Sequence, residues 1–121
     1  MHGVYPLKLA IYYPVSIDGR PDRSAAPYPL IVFCHGYGSS YNAYSWVPRI
    51  LVPRGYVTAM FTMPKPGDGV SGPGGGFVDF QLWREAMTIT IDYVLDKNTR
   101  EGSALNHMVD PSEIGVSGHS I

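Results

Sequence analysis

Glu113-Ile114-Gly115-Val116-Ser117-Gly118-His119-Ser120-Ile121 is the last stretch of the 121-residue sequence, and it reads as a buried strand turning sharply onto a serine. In a G-x-S-x-G turn the serine sits between strand and helix with its hydroxyl above the sheet, and the flanking glycines keep side chains out of the tight bend. Gly118-His119-Ser120 supplies the first three positions, and the second glycine would fall at position 122. Ser117 also follows a glycine by two. The position two beyond it is His119, whose Cβ would enter the turn, so Ser120 is the candidate nucleophile.

A second segment meets this one. Pro29-Leu30-Ile31-Val32-Phe33-Cys34-His35-Gly36-Tyr37-Gly38 is an apolar run ending in His-Gly, the form of a fully buried parallel strand that delivers a loop to its C-terminal edge. Ligands of open α/β sheets bind at that edge. Acyl transfer by a serine needs two backbone N–H groups aimed at the developing oxyanion, one from the residue after the nucleophile and one from the loop after this earlier strand. Ile121 and Tyr37 stand at those two places, with His35, Gly36, Gly118 and His119 as supporting motif positions.

Together the segments resemble the α/β-hydrolase superfamily, and more narrowly its cutinase-like polyesterase, platelet-activating-factor acetylhydrolase-like and dienelactone-hydrolase-like branches. The resemblance runs from Tyr12-Tyr13-Pro14 through the His35-Gly36 segment, Arg54-Gly55-Tyr56-Val57 and Asp110-Pro111-Ser112-Glu113-Ile114-Gly115 to Gly118-His119-Ser120. It implies an α/β fold with a mostly parallel sheet and flanking helices, residues 1–121 being the N-terminal portion of a single domain cut just after the nucleophile turn. It also implies a serine carboxylic-ester hydrolase, lipase-like or carboxylesterase in activity, that needs no cofactor and no metal. Tyr37 is similar to the aromatic that lines a subsite in cutinase-like polyesterases. Met63-Pro64 and the glycine-rich loop after it depart from the polyesterase pattern, which leaves small soluble esters, lipids and polymeric esters as substrate classes.

Composition agrees with a globular piece of such a protein: 45% hydrophobic and 16% charged residues, with 14 glycines and 11 prolines marking many loops. A net charge of −1 and the lack of a Lys/Arg cluster argue against nucleic acid or an anionic membrane as partner. No apolar run approaches the roughly 18 to 20 residues of a membrane span. Met1-His2-Gly3-Val4-Tyr5-Pro6 shows no signal-peptide pattern, and the compartment stays open. Cys34, the single cysteine, reads as a small core residue of the first buried strand.

The pattern along the chain is strand and helix in alternation. Leu7 to Tyr13 reads as an early antiparallel edge strand closed by Pro14, and Ile17 to Pro27 as a turn-rich surface connection. Ser39 and Ser40 are placed to cap a helix with Tyr44, Val47, Ile50 and Leu51 on its apolar face, Pro48 kinking it or pushing its start later and Gly55 stopping it. Tyr56 to Met63 is the next buried strand. Gly67-Asp68-Gly69-Val70-Ser71-Gly72 matches G-x-G-x-x-G, with Asp92 lying 20 residues beyond Gly72. Pro73 and three further glycines follow where a dinucleotide site needs a helix N-terminus, so the segment reads as a loop flanking a cleft. Asp79 suits an N-cap for a helix presenting Leu82, Ala86, Ile89, Tyr93 and Val94 to the sheet. Residues 96 to 112 read as a polar link turning at Asp110-Pro111 into a last strand, Ile114 to Ser117, beside the strand that ends at His35.

An unassisted serine hydroxyl is a weak nucleophile near neutral pH and needs a histidine base oriented by a carboxylate. The chain order of the resembled fold is Ser, then Asp or Glu, then His, which places both partners after residue 121. His2 lies at the terminus and His107 in the polar link, and His35 and His119 suit structural roles in the two motif segments. A second reading, of another class, is a non-catalytic remnant or interaction module lacking the triad acid and histidine. Its last strand would then expose an apolar parallel edge.

Overall fold

The protein is described by a computed structural model, which describes residues 7–36, 40–62 and 80–119, with the backbone alone for 80–82. Four strands form one sheet: β1 (Lys8–Tyr12), β2 (Tyr28–Cys34), β3 (Val57–Thr62) and β4 (Val109–Gly118), in the order β1-β3-β2-β4. β2 pairs in parallel with both β3 and β4, while β1 runs antiparallel to β3 at the edge, as the Leu7 to Tyr13 pattern predicts. Parallel neighbours need crossovers. The first is α1 (Trp46–Leu51), preceded by a 3-10 turn at Tyr41–Tyr44 and followed by another at Val52–Arg54; the second crossover includes α2 (Phe80–Asn98).

The two buried strands carry apolar residues on both faces because a helix covers each face. Leu30, Val32, Val57, Ala59 and Phe61 pack with Trp83, Ala86 and Val94 of α2, and with Leu105, Met108 and Val109. Phe33 and Met60, on the opposite face by strand alternation, pack with Tyr44 and Val47 before and within α1. Gly55 ends this first helical segment in the left-handed region at φ 89°, as its place in the sequence suggests.

Several sequence expectations are corrected by the packing. Ser40 precedes the first 3-10 turn but makes no side-chain capping bond, and Ile50 is 46% exposed rather than on the apolar face. On α2, Ile89 and Tyr93 face outward at 50% and 44% exposure, and the buried side chains among those described are Trp83, Ala86, Thr90, Val94 and Asn98. A helix buries a stripe at spacings of three and four, and Thr90 enters that stripe because its hydroxyl is satisfied within the helix, donating to the Ala86 carbonyl at 2.7 Å. The polar link of residues 96 to 112 is also a core element. α2 continues to Asn98, whose side chain donates to the Val109 carbonyl and accepts the Val109 N–H, both at 2.9 Å, under the buried Leu105 and Met108. β4 starts at Val109 rather than Ile114 and contains an irregularity. Tyr28 pairs with Val109, but Leu30 pairs with Ile114, so the Asp110-Pro111 turn is a bulge inside the strand.

The Ile17 to Pro27 connection is an irregular surface segment as predicted, and at its start the Ser16 hydroxyl bonds the Asp18 carboxylate. Arg23 pins its far end to the second crossover through the carbonyls of Asn106 at 2.8 Å, Ala104 at 3.1 Å and Ser103 at 3.3 Å. Tyr28 closes the other side, its hydroxyl donating to the Asp22 carbonyl at 2.6 Å and its N–H to the Met108 carbonyl at 2.7 Å.

Two buried polar side chains of this core have opposite expected effects when replaced. Asn98→Ala strands both backbone groups of Val109 in an apolar setting and should lower stability by about 2 to 4 kcal/mol. Thr58, fully buried, carries a hydroxyl without a hydrogen-bond partner among the described residues. Thr58→Val keeps the branched shape and removes the unsatisfied oxygen, and should raise stability by about 1 kcal/mol. Urea midpoints of the two variants check both; an Asn98→Ala midpoint equal to the parent's, or a lowered one for Thr58→Val, contradicts the respective account.

Candidate active site at the C-terminal edge of the sheet

The parallel register between β2 and β4 brings the two motif segments side by side. Phe33 pairs with Ser117 and Cys34 with Gly118, and one further bond, from the His119 N–H to the Cys34 carbonyl at 3.2 Å, extends the ladder to the end of the described chain. Gly118 makes a close approach to β2 here. A Cβ there would lie 3.1 Å from the Cys34 carbonyl oxygen and 3.3 Å from its Cβ, a contact that β2 would have to yield to accommodate. Gly118 therefore has a steric role in the ladder itself, apart from any conformational demand of the turn after it.

Of the predicted site residues, Ser120, Tyr37 and Ile121 lie outside the described residues, as do Asp79, the G-x-G-x-x-G segment and His2. The four supporting positions are described and converge. His35 is 2% exposed, and its imidazole packs against Trp83 at 5.0 Å and Phe61 at 6.2 Å between ring centroids. Its Nδ1 donates to the Gly36 carbonyl at 2.6 Å, so the ring holds the peptide that starts the loop. His119 is exposed and stands beside Tyr44, with ring centroids 5.7 Å apart.

Tyr44 is the residue that sequence reasoning assigned only to a helix face. Its hydroxyl accepts the Gly36 N–H at 3.2 Å and bonds His119 Nδ1 at 3.0 Å. One oxygen thus links Gly36, just after β2, to His119, just after β4. The ring is 9% exposed and leans on Phe33, centroids 5.1 Å apart at 47°, while Trp46 meets the same Phe33 edge-on at 6.4 Å and 71°. The one available signal was a tyrosine among apolar helix positions, since a buried phenol calls for a partner.

Cys34, the strand residue against which Gly118 packs, is half-buried, and desolvation pushes its thiol up to about 12. Its Sγ lies 3.7 Å from the His35 carbonyl, in a donor geometry. A neutral thiol here matches a packing role. Among the described residues no group of three His, Cys, Asp or Glu side chains is arranged to hold a metal ion, and no helix is long and apolar enough to cross a membrane.

No family model matches the chain, and no curated protein matches it. Among solved structures it is similar to a ferulic acid esterase from Streptomyces cinnamoneus, with 28% sequence identity and a TM-score of 0.55 over 84% of this chain. The chain spans 32% of that esterase's length. The four-stranded mixed sheet with its two helices is thus an α/β, hydrolase-like arrangement.

The thiol supplies a direct test of the ladder around Gly118. At pH 8 a free cysteine is partly thiolate, whereas Cys34 in the fold is almost wholly neutral, so iodoacetamide should modify it more than tenfold more slowly than in the urea-unfolded chain. The sign for stability follows. A thiol raised by folding contributes fully below the unfolded value near 8.5, and that contribution is lost as pH rises from there towards about 12. Cys34→Ala should therefore show a shallower stability loss than the parent between pH 9 and 11. Equal alkylation rates in the folded and unfolded chain would contradict the burial.

Proposed function

We propose that the chain is the N-terminal part of a serine carboxylic-ester hydrolase domain. The observation that carries this reading is the pairing of Cys34 with Gly118, extended by the His119 N–H to the Cys34 carbonyl, which sets His35-Gly36 and Gly118-His119 at one end of two adjacent parallel strands. The likeness to an esterase over most of the chain supports it independently.

In this reading Ser120 Oγ attacks the ester carbonyl carbon as a histidine base accepts its proton. The carbonyl oxygen becomes an oxyanion held by the Tyr37 and Ile121 amides. Collapse breaks the bond to the alcohol, which leaves with the proton from the histidine, and an acyl-Ser120 ester remains. Water, deprotonated by the same histidine, adds to that ester, and collapse breaks the bond to Ser120 Oγ, which takes the proton back from the histidine as the acid is released. The histidine and its carboxylate follow residue 121 in this reading, no metal or organic cofactor takes part, and His35 and His119 position backbone rather than move protons.

The substrate class is an ester of a small, lipid or polymeric alcohol or acid. The similarity to a ferulic acid esterase adds esters of an aromatic acid to that set.

Two measurements on the full gene product test the proposal. A fluorophosphonate should label Ser120, identified by peptide mass, and Ser120→Ala should lower hydrolysis of p-nitrophenyl acetate and methyl ferulate by at least about 10³-fold with an unchanged urea midpoint. Activity surviving in Ser120→Ala sinks the nucleophile assignment. Absence of labelling together with absence of turnover favours the non-catalytic interaction module.

A further inference from the structure

Resting on the ester-hydrolase reading above, we infer that Tyr44 is a positioning residue: its hydroxyl fixes the loop after β2 and the turn after β4 relative to one another, so that oxyanion donor and nucleophile keep one separation. The physical case begins with the hydrogen-bond inventory of a phenol, which has one proton to give and two lone pairs to receive. The Gly36 N–H at 3.2 Å occupies a lone pair, and the backbone amide can only donate. The phenol proton and the second lone pair both remain for His119 Nδ1, 3.0 Å from the same oxygen, and the imidazole tautomer decides which partner donates. Either way the bond sets the orientation of the His119 ring.

The anchor itself is rigid. Tyr44 is 9% exposed and clustered with Phe33, Val47 and Met60, so its ring is held by the sheet face on which β2 and β3 meet α1. From there the hydroxyl reaches Gly36, the residue before Tyr37, and His119, the residue before Ser120. Each contact is one peptide away from a group that acts in the reaction. The loop after β2 is held from its other side as well, by His35 Nδ1 on the Gly36 carbonyl at 2.6 Å. Gly36 is therefore fixed at both of its backbone polar groups, whereas His119 is exposed and has Tyr44 as its aromatic neighbour. Losing the phenol hydroxyl releases the Gly36 amide and the His119 ring together, while the core contacts of the ring persist in phenylalanine.

A displacement of about 1 Å at reacting groups costs on the order of 100-fold in rate. Tyr44→Phe should accordingly lower kcat of the full gene product on p-nitrophenyl acetate by about 10- to 100-fold, with KM within about twofold, since no substrate contact is removed. His119→Phe removes the same bond from the exposed side without touching the core, and should give a smaller fall of the same kind. The double variant should be no worse than Tyr44→Phe alone, because both changes delete one shared link. Apart from turnover, amide exchange at Gly36 should quicken more than tenfold in Tyr44→Phe while the exchange of Val32 and Ala59 amides stays as in the parent. The His119 ring ¹⁵N resonances should shift in Tyr44→Phe as Nδ1 loses its phenol partner.

Unchanged kcat in Tyr44→Phe alongside an inactive Ser120→Ala overturns the positioning role and leaves the ester-hydrolase reading intact. So does a loss confined to KM, or a double variant whose defects multiply. Activity that survives Ser120→Ala overturns both. A Gly36 amide that exchanges at the parent rate in Tyr44→Phe removes the bridge at its source.

Discussion

The contact between Gly118 and the backbone of Cys34 is the constraint from which the site geometry descends. Parallel strands align two chain ends only if their spacing is kept to the last pair, and at this pair a side chain would be tight: a Cβ on residue 118 would stand 3.1 Å from the Cys34 oxygen, so that β2 would have to shift slightly. Closeness there lets the ladder gain one more bond, from His119 to the Cys34 carbonyl, past the end of β4. His119 is therefore held at a fixed point on the central strand. The same strand sends His35 and Gly36 upward, so β2 is the common reference for both halves of the proposed reaction centre.

Around that reference the fold distributes its aromatic residues by face. On the α2 side, Trp83 and Phe61 wall in the His35 ring. On the α1 side, Phe33, Tyr44 and Trp46 form a tilted and edge-on series that ends in the phenol bound to Gly36 and His119. Offset and edge-on arrangements of this kind add to area burial. Each of the two supporting histidines thus belongs to a different side of the sheet, and each keeps one backbone segment in place through a ring nitrogen or through the phenol that it contacts.

The strands were legible in the sequence because continuous apolar runs such as Leu30 to Cys34 and Val57 to Phe61 have few other homes, and Gly55 declared its left-handed conformation by identity. The adjacency of β2 and β4 followed from motif placement, and β1 from its alternating pattern and closing proline. What escaped reading were features decided by polar satisfaction. Thr90 and Asn98 occupy the core since their side chains bond backbone groups nearby, and no hydropathy pattern reveals this. Ile89 and Tyr93 were assigned inward on apolar character alone, and the stripe ran instead through Trp83, Ala86, Thr90 and Val94. At the site, the His-Gly and Gly-His pairs could be found by motif, but the Tyr44 bridge spans 75 positions and depends on the angle at which the 3-10 turn enters α1.

The bulge in β4 gives the chain slack. From Tyr28 to Leu30 the central strand advances two positions, and from Val109 to Ile114 its partner advances five, three more than the ladder uses. The surplus is gathered at Asp110, whose carboxylate takes the N–H of Ser112 at 2.9 Å and its hydroxyl at 2.7 Å, which holds that carboxyl below its ordinary titration range. Mechanically the strand is two separate rails: one bolted to α2 through Val109 and Asn98, and another running from Ile114 to the site. A residue gained or lost in the coil between them shortens or lengthens the coil without sliding the second rail, so the spacing of His119 from the central strand is insulated from length variation in the crossover that precedes it.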